Sequence, residues 1–325
     1  MDSGKRIKVI YGDGHLGLYT DRCTCLFSYS AGGPISLCID GHEWLYRAAK
    51  PVFWRAVTDN DRGSGFPFRS AVWMGADMFS RCADIRITAD GALISSSLAP
   101  ANNTLTGTHL ARELKITYSY ALPTIPPAST EVTYQMNTDG QLTVAAHYFG
   151  QPGLPELPVF GMRFTAPTPA AEYRYQGLSG ETYPDRMAGG IPGIYTVQGM
   201  PVTPYMVPQD CGMHMNTDWL EIYRETSQDN RTEGPHRSCL RVTATNQSFA
   251  FSCLPYTAQE LENATHHEEL PPVRRTVLCV YGAVRGVGGI DSWGSDVEEP
   301  WHVSGEEDHE FSFMLEPGSC RNKHL

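Results

Sequence analysis

The stretch EVTYQMNTDGQLTVAAHYF, residues 131–149, decides the fold class. Val132, Tyr134 and Met136 alternate with polar neighbours, Asp139-Gly140 supplies a turn, and Leu142, Val144 and Ala146 resume the alternation. A period of two places every second side chain on one side of a strand. Each run therefore packs one face on a core and gives the other to water, as in stacked antiparallel sheets. An Asp-Gly pair between two such runs is a hairpin signal.

The same grammar recurs along the chain. In DIRITADGALISSS (84–97) two short runs flank Asp90-Gly91. In CLRVTATNQSFAFSCL (239–254) Leu240, Val242 and Ala244 are answered by Phe249, Phe251 and Cys253, and HEFSFMLEP (309–317) sets Phe311, Phe313 and Leu315 on one face. Helix signals are few. TAQELENA (257–264) offers a capping box from Thr257 to Glu260. SAVWMGADMFS (70–80) puts Val72, Ala76 and Phe79 at helical spacing, interrupted by Gly75. No strand–helix alternation is present, which excludes a Rossmann sheet and a (β/α)8 barrel. Proline-rich pieces at 123–127 and 151–158 read as connections, and no repeat or composition shift divides the chain. The expectation is an all-β protein, a large antiparallel β-sandwich with few short helices, forming a single domain over residues 1–325.

Composition narrows the function. A net charge of −11 disfavours a nucleic-acid partner, which needs clustered Lys and Arg. The N-terminus MDSGKRIKVIYGDG has no signal-peptide core, and no apolar run reaches membrane-spanning length. Nine scattered cysteines without metal or disulfide spacing fit reduced thiols, so a cytoplasmic protein with no membrane partner is expected. In that setting the glycosylation-like sites at Asn102 and Asn263 carry no meaning.

Candidate chemistry sits in four places. FWRAVTDNDRGSGF (53–66) sets a polar, glycine-jointed run, Asp59, Asn60, Asp61, Arg62 and Gly63, behind an aromatic anchor of Phe53 and Trp54. That run has the chemistry of a turn: a plain surface connection, or a loop reaching a ligand. GAVRGVGGIDSWG (282–294) is glycine-rich but opens no helix, which argues against a phosphate loop; it reads as a flexible segment presenting Trp293, either as an exposed platform or as a core residue. GLSGETYPDR (177–186) concentrates Glu181, Tyr183, Asp185 and Arg186, and reads as a loop stapled by a carboxylate–arginine pair. THHEEL (265–270) offers His266, His267 and Glu268 without a metal-binding spacing. No G-x-S-x-G elbow is present. The residues alone give a β-rich domain without a complete active site.

Taken together the motifs become specific. FWRAVTDNDRG, GLSGETYPDR followed by TPYMVPQDCG, ATHHEELPP and GGIDSWG occur in this order. They resemble the C-terminal domain of the large β-galactosidases of glycoside hydrolase family 2. The opening VIYGDGHLGL … LFSYSAGGPISLCIDGHEWLYRAAKPVFWRAVTDNDRGSGF is more similar still to the separately encoded small subunits of heterodimeric β-galactosidases. The resemblance covers nearly the whole chain. It implies a supersandwich related to galactose mutarotases, with both catalytic glutamates on a barrel in a large partner subunit, and hence no catalytic residue here. It implies that Trp293 forms an apolar platform under the sugar that leaves or accepts galactose. Asp59 to Gly63 would form an active-site loop with Gly63 at its mobile edge, although SGFPFRS after Gly63 departs from the single-chain pattern. It implies no metal or cofactor on this chain, with magnesium and sodium on the large subunit. Two alternatives stand beside it: an aldose 1-epimerase-like enzyme using His266, His267, Glu268 or Glu181, and a carbohydrate-binding module.

Overall fold

The structure, a computed structural model, describes residues 4–12, 14–94, 109–228 and 237–319. Its widest layer is a ten-stranded sheet. The strand order is Pro192–Gln198, Glu172–Leu178, Trp219–Arg224, Ser238–Ala244, His309–Pro317, Leu142–Phe149, Ser129–Asn137, Glu113–Ala121, Arg81–Ala89 and Ala92–Leu93. Two smaller sheets cover its inner face. One has six strands: His42–Glu43, Gly33–Ile39, Cys23–Ser28, His15–Tyr19, Ile7–Tyr11 and His109–Ala111. The other has five: Met213–Thr217, Phe249–Leu254, Thr276–Val284, Val159–Ala166 and Lys50–Val52.

The decisive stretch folds as read. Ser129–Asn137 and Leu142–Phe149 pair antiparallel with Tyr134 opposite Val144, and Val132, Tyr134, Met136, Val144 and Tyr148 are buried. The turn closes because the Asn137 side-chain oxygen accepts from the N–H groups of Asp139 and Gln141. Gly140 there has φ +78°, and a Cβ would stand 2.7 Å from the Thr20 hydroxyl. Asp90 and Gly91 likewise make the expected hairpin with φ of 49° and 79°. Residues 95–97 of that second run lie outside the described residues.

Aromatic side chains knit the layers. Phe27 of the six-stranded sheet meets Tyr134 edge-on at 5.5 Å between centroids, while Phe160 and Phe164 of the five-stranded sheet meet Phe311 and Phe313 at 5.4 and 5.9 Å. One hydrophobic cluster runs through all three sheets, so the molecule is a two-layer antiparallel sandwich.

Two local expectations need correction. Residues 239–254 are not a hairpin: Ser238–Ala244 lies in the ten-stranded sheet and Phe249–Leu254 in the five-stranded one. All six residues of Phe249–Leu254 are buried, so that strand is covered on both faces and its apparent alternation carries no solvent side. Nor do Val72, Ala76 and Phe79 form one helix face. Gly75, at φ +76°, breaks the segment into a 3₁₀ turn at Ala71–Trp73 and a short helix at Ala76–Phe79, leaving Phe79 exposed. The capping box at Thr257 is present and starts the helix Ala258–Asn263.

Gly91 and Gly140 separate backbone strain from crowding. Gly91→Ala meets open space, so it should cost only the left-handed conformation, about 1–2 kcal/mol. Gly140→Ala adds a clash with Thr20 and Cys23 and should cost visibly more in urea denaturation. Equal losses at the two sites would contradict this.

Candidate functional site

The site begins where two strands leave the same edge of the five-stranded sheet. Lys50–Val52 and Thr276–Val284 both pair antiparallel with Val159–Ala166, Val52 opposite Gly161 and Val284 opposite Val159. They therefore run parallel to each other, and their C-terminal ends emerge side by side. One continues into Phe53–Val57 and the polar run, the other into Arg285 and the Trp293 loop. Phe53 anchors the first exit, stacked on Trp73 and Phe160 at 5.8 and 5.7 Å between centroids, and Trp54 is buried beside it.

The polar run is not the expected turn but a short helix, Asp59–Ser64. Thr58 starts it. Its hydroxyl accepts from the Asp61 N–H at 3.1 Å, and one Asp61 carboxylate oxygen accepts from the Thr58 N–H and hydroxyl at 2.9 and 2.8 Å. Gly65, at φ +74°, ends it. The left-handed glycine is thus Gly65, and Gly63 sits within the helix. Asp59 donates its N–H to Gln209 at 2.8 Å and pairs through its exposed carboxylate with Arg62.

The helix touches the Trp293 loop directly. Gly294 has φ +80°, and a Cβ on it would lie 2.7 Å from the Gly63 carbonyl oxygen; a Cβ on Gly289, at φ +77°, would collide with the Asn60 side chain. Two glycines thus allow backbone to approach the helix. Between them, Asp291 builds the turn that carries Trp293. One of its carboxylate oxygens accepts from the N–H groups of Trp293 at 2.9 Å and Ser295 at 3.3 Å, and the other accepts from the Ser295 hydroxyl at 2.5 Å. The Ser295 hydroxyl and these amides hold the Asp291 carboxyl below its usual range. Trp293 is left 92% exposed. The structure therefore brings Trp293 together with Asp59, Asn60, Asp61, Arg62 and Gly63.

Beneath this contact lies a buried charge cluster that the sequence reading missed. Arg55 donates to both Asp61 oxygens, at 2.5 and 3.2 Å, and to the Gly286 carbonyl at 3.2 Å. Arg285 lies 3.6 Å from Asp61, donates to Glu156 at 2.7 Å and to Asp296, and stacks over the Phe66 ring at 3.9 Å. Arg55, Asp61 and Arg285 are each about 1% exposed in their side chains. Burial alone would raise the Asp61 carboxyl, but Arg55 and the Thr58 donors hold it below the usual carboxylate range. The legible signal was an arginine inside each of two apolar runs, FWRAV and GAVRGV, since a buried guanidinium demands carboxylate partners.

The 177–186 loop is not closed by the expected internal carboxylate–arginine pair: among the described residues Arg186 pairs with neither Glu181 nor Asp185. Asp185 accepts from the N–H groups of Val287 at 3.1 Å and Gly288 at 2.8 Å, and Arg186 donates to the Gly288 carbonyl, so both residues hold the neighbouring loop. Tyr183 donates to Asp210 at 2.8 Å. Below them His214 lies between Tyr173, Tyr175 and Phe251; its partners assign Nδ1–H to the Gly180 carbonyl at 2.9 Å and Nε2 as acceptor from Tyr173 at 3.0 Å. The epimerase-type candidates do not come together with one another. Glu181 is exposed and accepts from Thr203, His266 lies at the surface 3.6 Å from Glu269, and among the described residues no bond joins Glu181 to His266, His267 or Glu268. Among the described residues no group of three His, Cys, Asp or Glu side chains could hold a metal ion.

Asp210 gives this region a pH signature. Burial pushes its carboxyl up to about 7, against the opposing pull of Arg55 and the Tyr183 hydroxyl, and Asp61 and Glu181 add to the rise. The folded state thus keeps a proton that an unfolded Asp, at roughly 3.9, releases. Stability from this group is complete below about pH 4 and is lost as pH rises through about 7. Burial lowers His214 to about 4, which gives the opposite slope, present above its unfolded value and lost as pH falls. Asp210→Asn leaves His214 in place, so the stability difference between variant and parent should grow in the variant's favour from pH 4 to 8. A difference that is flat with pH in chemical denaturation would refute the assignment.

With this geometry in place, similarity to other proteins becomes informative. The family described as "Beta galactosidase small chain" matches residues 19–315. A protein of Latilactobacillus sakei described as "Beta-galactosidase small subunit" is 56% identical over 314 residues, covering 97% of this chain and 99% of its own. A "Beta-galactosidase" of Streptococcus thermophilus is 32% identical over 313 residues; 96% of this chain is covered, but it spans only 28% of that relative's length. Among solved structures, a galactose mutarotase-like protein from Lactobacillus casei aligns over 94% of this chain and all of its own, with a TM-score of 0.40 and 10% identity. By the match along nearly its whole length, the chain belongs to the β-galactosidase small-chain family.

Proposed function

We propose that this chain is the small subunit of a heterodimeric, cytoplasmic β-galactosidase that hydrolyses terminal β-D-galactosides such as lactose. In this reading it completes the sugar site while the catalytic glutamates lie on a large partner subunit. Glycoside hydrolysis requires two carboxyl groups facing each other across the scissile bond. The carboxylates around Trp293 are otherwise engaged: Asp61 and Asp296 neutralise arginines, and Asp291 and Asp185 bind backbone N–H groups. Any magnesium or sodium would be held by the partner, outside this chain.

The observation that carries the reading is the contact between the Trp293 turn and the Asp59–Ser64 helix on one face, with the indole projecting from it. An exposed indole offers a flat apolar surface to the C–H face of a sugar, which suits the leaving or accepting sugar better than the reacting centre. Segments attached to the helix add apolar surface. Phe68 is 86% exposed, and Met74, Phe79, Ile290 and Met206 are exposed as well. A partner holding Trp293 at a second chain's catalytic centre needs a broad interface, about 2,000 Å² or more, to which such exposed apolar side chains would contribute.

The purified chain alone should turn over no chromogenic β-galactoside, and addition of the large subunit should restore turnover. Hydrolysis by the chain alone, free of contaminating enzyme, would overturn the proposal. In the reconstituted enzyme Trp293→Ala should weaken the leaving or acceptor sugar by ~1 kcal/mol or more, the scale of a lost aromatic contact. That means a higher KM for lactose and less galactose transfer to added glucose, with unchanged inhibition by galactose. Unchanged kinetics would remove Trp293 from the site.

A further inference from the structure

We infer that Arg285 and Asp296 are positioning residues, a buried bracket that fixes the posture of the Trp293 turn. The inference rests on the reading of Trp293 as a sugar platform. Arg285 is the first residue after the strand Thr276–Val284, and its backbone N–H is bound to the Pro158 carbonyl at 3.0 Å, so its base belongs to the sheet. Its guanidinium reaches three carboxylates from three separate segments: Asp61 in the helix, Glu156 in the 151–158 connection, and Asp296 just beyond the turn. Phe66 covers the guanidinium plane.

Asp296 is the loop side of the bracket. It lies three residues after Trp293, accepts from Arg285 and from Arg69, and binds the N–H of Val297 at 2.9 Å. Together with the Arg285 hydrogen bond, the Val297 amide and Arg69 hold its carboxyl below the usual range against the effect of burial. The loop between residues 286 and 296 is consequently pinned at both ends: Gly286 by its carbonyl to Arg55, and Asp296 by the two arginines. The Asp291 turn fixes the local shape around Trp293, but its bonds are internal and do not tie the turn to the sheet. Asp185 and Arg186 hold the loop before Trp293, at Val287 and Gly288, and Arg285 ties the part beyond Trp293 to the sheet. A lysine cannot replace this fork, because one ammonium has neither the planar geometry nor the reach to serve three carboxylates while stacking on a ring.

A double-mutant cycle in the reassembled two-chain enzyme tests this. Asp296→Asn is near-isosteric and one-third exposed, so folding should survive it. It should raise KM for lactose and lower transfer to glucose by roughly two- to tenfold, the lower part of the span of neighbour coupling seen in such cycles, without altering inhibition by galactose. The effect should vanish when Trp293→Ala is already present. An effect that persists in the Trp293→Ala background, or that strikes galactose equally, would overturn the inference in favour of a general structural role. An independent arm uses the isolated full chain labelled with 5-fluorotryptophan, the Trp293 resonance being assigned with Trp293→Phe. Asp296→Asn and Arg285→Lys should each shift or narrow that resonance while the other five tryptophans keep theirs. An unchanged resonance overturns the bracket. A changed resonance with a kinetically silent Trp293→Ala supports the bracket and overturns only the platform reading.

Discussion

Two arginines and one aspartate, all withdrawn from water, lie where two strands leave the sandwich. Isolated charges in such a place would cost several kcal/mol each. Asp61 offsets part of that penalty by accepting two bonds from Arg55, standing close to Arg285 and closing the cap on Thr58, while Glu156 and Asp296 accept from Arg285. Because one carboxylate serves a helix N-terminus and two guanidinium groups at once, the position of the helix and the course of the neighbouring loop are not independent. The cluster thereby ties the loop that carries the Trp293 turn to the helix beside it.

The sandwich supplies the rigidity on which the cluster depends. Phe53, Trp73, Tyr148 and Phe160 pack ring on ring directly beneath the helix, so the strand exits are fixed by core packing rather than by loop contacts. Above that floor the polypeptide uses backbone and small residues. Gly289 and Gly294 let one segment lie against another, and Asp185 and Arg186 hold the same segment from the far side. The result is a loop that reads as flexible from its glycines yet is held by groups from several separate parts of the chain.

This arrangement suits a subunit whose share of a reaction is positional. Its carboxylates near the exposed indole are spent on arginines and backbone amides, and its apolar surface rises on the segments around the helix. In the proposed reading, this is the edge that would meet the large subunit. The family relation agrees with that character, since some relatives carry a stretch of this length as little more than a quarter of one longer polypeptide.

Local chemistry was legible without coordinates. Alternation in residues 131–149 and 309–317, the Asp90-Gly91 hairpin and the capping box at Thr257 all follow from interactions within a few residues, which sequence spacing encodes; that Trp293 is exposed rather than in the core was decided by the fold. The short helix at Asp59–Ser64 was misread as a turn because its cap uses Asp61 where Glu or Gln is usual, and because Gly63 resembled its end. Residues 239–254 were misread as a hairpin because periodicity does not say which sheet a strand joins. The meeting of the Trp293 turn with that helix could not be read at all. It arises because strands more than two hundred residues apart flank Val159–Ala166 and leave the sheet in the same direction. The partners of Arg55 and Arg285 follow from the same topology: sequence shows that a buried guanidinium needs carboxylates, but only the folded chain selects them, since attraction between charges depends on distance in space and not along the chain.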